Sequence, residues 1–139
     1  MQTILGSGGA IGTELAKALP LYTENIRLVS RNPKAINSND YLFKADLTSI
    51  DDVMKAIEGS EIVYLTAGFE YKLKVWQETW PTVMTNVIEA CKTHKVKLVF
   101  FDNIYMYDPN NLDFMDEQTP LNPYSEKGKI RLEIAKMIL

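Results

Sequence analysis

The chain has 139 residues, 46% of them hydrophobic, and a net charge of −3, with charges of both signs scattered along it. This composition predicts one domain with a single core and provides no basic face for nucleic acid. No apolar run is long enough to cross a membrane, and we expect no signal peptide, because the N-terminus leads directly into the first predicted strand. A single cysteine suits a reducing compartment, so we expect a cytoplasmic protein. The single cysteine, Cys91, excludes an internal disulfide, and the sequence has no cluster of metal ligands.

A glycine-rich segment, Gly6-Ser7-Gly8-Gly9-Ala10-Ile11-Gly12, follows the apolar run Thr3-Ile4-Leu5. Apolar residues at helical spacing continue to residue 19, and Pro20 ends them. The order strand, glycine turn and helix start predicts an anion site, because the first turn of a helix presents unpaired N–H groups and the positive end of its dipole. A glycine-rich turn without a ligand is the alternative, which this context disfavours.

The glycines of this segment have the spacing G-x-x-G-x-x-G, and each has its own expected role. Gly6 allows the tight turn, Gly9 lets the backbone approach a pyrophosphate, and Gly12 lets the helix pack closely on the strand. Ala10 and Ile11 complete the first helical turn and belong to the same predicted site. The segment therefore predicts a dinucleotide-binding site.

Strands and helices alternate along the rest of the chain. Further strands are predicted at Ile26–Val29, Tyr41–Ala45, Ile62–Leu65 and Val96–Phe101. Further helices are predicted at 48–58, at 81–95 and from about 124 to 139. This order predicts an α/β fold with a doubly wound parallel sheet of about five strands. Ligands of such sheets bind beyond the carboxyl ends of the strands.

Three strand ends carry residues suited to a coenzyme. Arg31 follows the second strand, at a position where an acidic residue would favour NAD. The charged guanidinium of Arg31 instead favours the 2′-phosphate of NADP. The alternative is that Arg31 is a surface arginine in a turn. Asp46 and Leu47 follow the third strand, where the carboxylate can accept from the adenine amine or favour the start of the next helix. Ala67 and Gly68 follow the fourth strand and leave room for a ribose and a nicotinamide.

The chain resembles the extended short-chain dehydrogenase/reductase superfamily, in its NAD(P)-dependent epimerase/dehydratase branch. The resemblance covers essentially the whole chain, and the segments that carry it stand in collinear order: Gly6–Gly12, Ala45–Leu47, Val63–Gly68, Asn86–Cys91 and Val99–Tyr107. It implies an NAD(P)-binding Rossmann fold over residues 1–139 and a nicotinamide coenzyme. It also implies hydride transfer at an alcohol carbon, often of a nucleotide sugar.

The catalytic positions of that superfamily are altered here. The resemblance places Asn103 where a serine or threonine polarises the substrate oxygen, and Tyr124 where a tyrosine acts as general acid/base. Four residues after Tyr124, where the superfamily has a lysine, the chain has Gly128. Lys127 lies three residues on, nearly on the same helical face, and is the better substitute than Lys129. The alternative is that Tyr124 packs at a helix start and Lys127 is a solvated charge.

Other aromatic residues have packing as their expected role. Trp76 and Trp80 lie before and at the start of the long predicted helix, where we expect them in the core or at a dimer interface. Tyr105 and Tyr107 are further phenols, and their alternation indicates packing.

The resemblance leaves two functions open. The first is an atypical NADP-dependent oxidoreductase or epimerase with a small-molecule substrate, in which Asn103, Tyr124 and Lys127 are catalytic. The second is a non-catalytic NADP(H)-binding sensor or scaffold. Superfamily members continue into a substrate-binding region, so we expect this chain to be a fragment of a longer protein. Dimers of the superfamily pair through the long helix and the last helix, so the resemblance also implies a homodimer.

Overall fold

Five parallel strands form one sheet in this computed structural model, which describes residues 1–139. The strands are β1 (Gln2–Leu5), β2 (Ile26–Ser30), β3 (Tyr41–Lys44), β4 (Ile62–Leu65) and β5 (Lys97–Phe100). Their order in the sheet is β3-β2-β1-β4-β5. The chain runs outward from β1 to β3 and then returns to the other side of β1, so the topological switch point lies between β1 and β4. The predicted doubly wound parallel sheet is confirmed, with strand ends within one residue of those expected.

The central strands bury apolar side chains because both faces of a parallel sheet are covered. Ile4 and Leu5 of β1, Leu28 of β2, and Val63 and Leu65 of β4 are fully buried. The ends of the strands are in register: Leu5 pairs with Val29 on one side and with Leu65 on the other. The loops that follow these strands therefore leave the sheet at one edge.

Four α-helices accompany the strands: α1 (Ala10–Ala18), α2 (Ile50–Ile57), α3 (Leu73–His94) and α4 (Glu126–Ile138). Short 3₁₀ turns at Leu19–Leu21 and Pro109–Asn111 complete the regular structure. Pro20 lies inside the first of these turns, so the helical stretch ends where the sequence indicates. None of the helices has the length and apolarity that a membrane crossing requires.

Helix α3 corrects the prediction that the long helix begins at Pro81. It begins eight residues earlier, at Leu73, and contains Pro81 in its interior. Trp76 and Trp80 are therefore inside the helix, one turn apart, and both are buried. Burial of these two large side chains on one face outweighs the loss of one backbone donor at the proline.

Helices α2 and α4 begin two residues later than predicted, because a serine caps each of them. The Ser49 hydroxyl accepts from the N–H of Asp52 at 3.3 Å, and the Ser125 hydroxyl accepts from the N–H of Gly128 at 3.0 Å. A capping residue lies outside the helix that it caps. Tyr124 consequently precedes α4 instead of starting it.

The chain divides into two compact units. The first comprises Met1–Gly68 and Thr85–Phe101 and contains the whole sheet. The second comprises Phe69–Met84 and Asp102–Leu139 and contains α4 and the first half of α3.

Candidate functional site

The glycine segment turns sharply from β1 into α1. Gly6 has a φ of +94°, which side-chain-bearing residues rarely adopt. The N–H groups of Gly6 and Ser7 both donate to the carbonyl of Val29, at 2.9 and 3.2 Å, and the N–H of Gly9 donates to the carbonyl of Gly6 at 3.1 Å. These bonds fix the turn at the carboxyl ends of β1 and β2.

The fold itself requires glycine at positions 6 and 12. A Cβ at Gly6 would lie 2.5 Å from the backbone of Ala67, and one at Gly12 would lie 2.6 Å from the carbonyl oxygen of Gly6 and 2.9 Å from Thr66 Oγ1. Both distances are far below van der Waals contact, so these two positions have no space for a side chain.

Gly9 is different, because nothing in the fold requires it to be glycine. Its φ of −83° is open to any residue, and a Cβ there would meet only the carbonyl oxygen of Gly6, at an ordinary 3.5 Å. Gly9 is also exposed and is the N-cap residue of α1. Because Gly9 has no side chain, a molecule in solvent can approach the backbone at the start of α1.

The start of α1 is left without a protein partner. No side chain caps it, and its first turn carries no acidic residue. By contrast, α2 and α4 each have a serine cap and at least one acidic residue in the first turn. The first N–H of α1 with a helical partner is that of Thr13, so the N–H groups of Ala10, Ile11 and Gly12 remain available. Ile11 is also exposed, which places an apolar side chain beside these donors.

The end of β2 combines an exposed cation with a buried hydroxyl. Arg31 is exposed, and the Ser30 hydroxyl is buried without a hydrogen-bond partner. Buried hydroxyls are nearly always bonded, so this one is open to a water molecule or a ligand. Ser30 gives no functional signal in the sequence, because serine is an ordinary residue type at a strand end.

Asp46 is held in an orientation that leaves half of its carboxylate free. Its Oδ1 accepts from the backbone N–H and from the hydroxyl of Thr48, at 2.9 and 2.8 Å. These bonds, with a smaller contribution from the positive charge of Arg31, hold the pKa of Asp46 below its ordinary value. The carboxylate is therefore a permanent acceptor, with Oδ2 left for another donor.

The neighbouring residues contribute mainly through their backbones. The side chain of Leu47 is buried, and its carbonyl accepts from Asn86 Nδ2 at 3.1 Å. Beyond β4, the Thr66 hydroxyl donates to the carbonyl of Leu5 at 3.2 Å, while Ala67 is half-buried and Gly68 is exposed. All the residues predicted to bind the coenzyme thus lie in the first unit, after the carboxyl ends of β1 to β4.

The residues predicted as catalytic all lie in the second unit. Asn103 follows Asp102, whose Oδ1 accepts from the Asn103 N–H at 2.7 Å and from the guanidinium of Arg131. Asn103 Oδ1 in turn accepts from the N–H of Tyr105 at 3.1 Å, which leaves the Nδ2 amide free to donate. Arg131 is buried, with its guanidinium 4.4 Å from the centre of the Trp80 ring.

Tyr124 and Lys127 do not share a helical face, because Tyr124 precedes α4. The Tyr124 side chain is 77% exposed. Lys127 Nζ lies 3.2 Å from the centre of the Tyr71 ring and donates to the Tyr71 carbonyl at 3.2 Å, not to the Tyr124 phenol. The prediction that Tyr124 and Lys127 lie on nearly the same helical face is therefore wrong.

Position 128 has no space for the lysine of the superfamily pattern. A Cβ at Gly128 would collide with the carbonyl oxygen of Tyr105 and would lie 2.6 Å from Pro123 Cβ. Gly128 is buried. This contact joins segments distant in the sequence, and no local pattern indicates it.

An aromatic group in the second unit was not predicted as a site. Tyr105 stacks on Trp76, with ring centres 6.2 Å apart, and Tyr71 meets the edges of both rings. Tyr71, Tyr105 and Lys127 line a cavity, described below. Of these aromatic residues, Trp76 and Tyr105 were noted in the sequence, with packing as their expected role, and Tyr71 was not.

Comparison with known proteins gives a family and a fold. A family model described as NAD(P)H-binding matches residues 6–134. No curated protein matches the sequence. Uronate dehydrogenase from Agrobacterium tumefaciens has a TM-score of 0.83 at 18% identity, covering 98% of this chain and 53% of its own. UDP-glucose 4-epimerase has a TM-score of 0.83 at 21% identity, and the match covers 99% of this chain and 46% of the epimerase chain. The structure of MoeE5 in complex with UDP-glucose and NAD has a TM-score of 0.79 at 21% identity, covering 98% and 47%.

The chain thus spans about half the length of the solved structures that it matches. At these identities the likeness establishes the fold, and the family match covers nearly the whole chain. The chain belongs to the NAD(P)H-binding family and has the Rossmann fold of these solved structures.

Proposed function

We propose that this chain binds NADP(H) through the segment Gly6–Gly12 and is the coenzyme-binding part of an oxidoreductase of the epimerase/dehydratase type. The observation that carries this proposal is Gly9, which the fold does not require to be glycine and which stands at an uncapped helix start. A diphosphate that approaches the backbone closely accounts for both features. The free N–H groups of Ala10, Ile11 and Gly12 would hold it.

The choice of NADP over NAD rests on the end of β2. Arg31 offers a charged fork for a 2′-phosphate, and the unpartnered hydroxyl of Ser30 offers a further donor. No acidic residue follows β2 to bind a free ribose hydroxyl. We place Asp46 Oδ2 and the backbone of Leu47 at the adenine, and Ala67 and Gly68 at the nicotinamide half.

Titration calorimetry with NADP, NADPH, NAD and NADH tests this proposal. We expect both forms of NADP to bind at least about tenfold more tightly than NAD, since a charge-assisted hydrogen bond contributes about 1.5–3 kcal/mol. Arg31→Leu should remove that preference, while Lys17→Met, which changes an exposed charge at the other end of α1, should not. Failure of every dinucleotide to bind would overturn the proposal.

For the reaction, we propose hydride transfer at an alcohol carbon, with a nucleotide sugar as the substrate class. Asn103 would donate its free amide N–H to the substrate oxygen, Tyr124 would act as acid/base, and Lys127 would supply positive charge. The likeness to UDP-glucose 4-epimerase and to the MoeE5 complex supports this substrate class. For Lys127 to serve Tyr124, it would have to leave the Tyr71 carbonyl.

Tyr124→Phe separates catalysis from binding. With UDP-glucose and related nucleotide sugars as substrates, we expect NADP reduction that the variant lowers at least about a hundredfold, the scale of acid/base catalysis. Coenzyme affinity should stay unchanged in calorimetry. Turnover equal to that of the native chain would remove Tyr124 from the mechanism.

A non-catalytic NADP(H)-binding sensor or scaffold is the second candidate. The exposed position of Tyr124 outside α4 and the lack of space at Gly128 favour it, because no cation is then fixed beside the phenol. The sensor is supported if NADP binds tightly and no alcohol substrate is turned over.

We also propose that residues 1–139 are the N-terminal part of a longer cytoplasmic protein that forms a homodimer through α3 and α4. The larger size of the solved structures supports the first point, and the exposed apolar end of α4, at Met137 and Ile138, supports the second. Light scattering of the native chain and of Met137→Glu tests the dimer, which the charged side chain should dissociate.

A further inference from the structure

The second unit contains a cavity of about 370 Å³ that the proposed coenzyme site does not use. Its lining is mixed: Tyr71, Leu73, Tyr105, Ser125, Glu126 and Lys127. The volume falls in the range of small-molecule sites, which combine apolar walls with a few polar groups. Aromatic rings and a leucine provide the apolar walls here.

Lys127 brings a positive charge to this cavity without a carboxylate partner. Its Nζ lies over the Tyr71 ring and donates to the Tyr71 carbonyl, and neither contact carries a full negative charge. The neighbouring carboxylate, Glu126, is paired with Lys129 at 2.5 Å instead. An ammonium group has three donors, so Lys127 keeps two for a ligand.

The aromatic wall is fixed in place from behind. Trp76 is buried; its ring stacks under Tyr105 at 27° and meets Tyr71 edge-on, with ring centres 5.6 Å apart. The hydrogen bond between the hydroxyls of Tyr71 and Tyr105 raises the pKa of Tyr105. The wall is therefore a rigid aromatic surface whose phenol pair keeps one O–H donor free.

We propose that this cavity binds a small organic anion, a carboxylate on a flat apolar body. The carboxylate would pair with Lys127 Nζ and accept from the one O–H that the Tyr71–Tyr105 phenol pair leaves free, while the flat body would lie against Tyr71 and Leu73. One uncompensated cation suits a single negative charge, because a dianion would be repelled by Glu126. A cationic ligand would meet the Lys127 ammonium.

The proposal does not depend on coenzyme binding and gives Lys127 a role other than that of partner to Tyr124. An anion in the cavity would hold the ammonium where the structure places it, at Tyr71. Coenzyme binding and anion binding can each fail without the other.

Benzoate, benzamide and benzylamine are matched probes, since they share a ring and differ in charge. Titrated into the full chain and followed by calorimetry and by tryptophan fluorescence, benzoate should bind at millimolar concentration or below. Benzamide should bind at least about tenfold more weakly, and benzylamine should not bind. Trp76→Phe should remove most of the fluorescence response, because Trp76 is the tryptophan in contact with the cavity wall.

Variants of the charged residues test whether Lys127 is the group that binds the carboxylate. Lys127→Met should weaken benzoate at least about tenfold, whereas Lys136→Met, an exposed lysine further along α4, should have no effect. Glu126→Gln should tighten benzoate, because it removes the carboxylate in the lining. Equal affinity for benzoate and benzamide, no binding of benzoate, or an unchanged affinity in a folded Lys127→Met would each overturn the proposal.

Discussion

Gly6, Gly9 and Gly12 belong to one sequence motif, but the reason for glycine differs between the three positions. Gly6 and Gly12 have no space for a Cβ because other parts of the protein occupy it. At Gly9 the space is open, so only a molecule from outside would meet the side chain. Stability and binding can therefore be separated within one motif.

Alanine substitutions should make this separation visible. Gly12→Ala should lower the free energy of unfolding by about 1–3 kcal/mol, the range for overpacking in a well-packed interior. Gly9→Ala should leave the free energy of unfolding nearly unchanged and weaken NADP binding at least about tenfold, because the methyl group holds the diphosphate away from the N–H groups. Urea unfolding and calorimetry measure the two effects.

Gly8→Ala is the matched control, because a Cβ at Gly8 meets no atom within 4 Å and the residue is outside the predicted contact set. It should fold and bind as the native chain does. A Gly9→Ala variant that binds NADP normally would contradict the role assigned to Gly9.

The glycine turn and the start of α1 could be predicted from the sequence, and the pairing at the tyrosine could not, for a physical reason. The turn and the helix start are indicated by three glycines at fixed spacing directly after a strand. The pairing of Tyr124 with Lys127 depended on where α4 begins, and the Ser125 cap moves that start past Tyr124. The space at Gly128 is filled by the nearby Pro123 and by the carbonyl of Tyr105, which is more than twenty residues away in the sequence, so no local pattern reveals that second contact.

Among the elements, α4 is joined to the segment after β5 by one buried ion pair. The guanidinium of Arg131 donates to Asp102 Oδ1 and lies on the face of Trp80. Burial lowers the pKa of Arg131, and the carboxylate of Asp102 opposes that shift, so the arginine remains charged. Asp102 also fixes the N–H of Asn103, which makes the pair an anchor for that residue.

Removing one partner of this pair should be costly. Asp102→Asn or Arg131→Met should each lower the free energy of unfolding by about 3–5 kcal/mol, since a buried charge is left uncompensated. The double variant should lose less than the sum, because no unpaired charge remains. A double-mutant cycle by urea unfolding measures the coupling.

The exposed pair Lys129–Glu126 in the same helix is the control, and its cycle should give less than about 1 kcal/mol. Purely additive losses for Arg131 and Asp102 would show that the pair does not act as a unit.

The bounds of the strands and helices could be predicted from the sequence where the local pattern of apolar residues determines them. All strands lay within one residue of their expected ends, but the start of α3 was placed at Pro81, because proline favours a first helical turn. The actual start at Leu73 depends on the burial of Trp76 and Trp80, a tertiary effect.

For the whole molecule, the alternation of strands and helices was enough to predict the sheet, since parallel strands need crossover connections. The division into two compact units was not predicted, because α3 contributes to both and its sequence shows no break. The single thiol, Cys91, lies in the first unit and is buried.

Cys91 should give global stability a dependence on pH. Burial raises its pKa from 9.0 to about 11. Because the folded pKa is the higher one, the neutral thiol's contribution is complete below about pH 9 and is lost as pH rises towards 11, by up to about 3 kcal/mol. Urea unfolding under reducing conditions at about pH 8 and pH 10.5 should show a larger loss for the native chain than for Cys91→Ala. Equal losses would mean that the thiol ionises freely in the folded state.

The tight fit at Gly128 also limits how this chain can evolve. A lysine there would place its stem against the Tyr105 carbonyl and the Pro123 ring, so the substitution would destabilise the fold. A tyrosine–lysine pair with the superfamily spacing would therefore require compensating changes at both neighbours before the lysine could be accommodated.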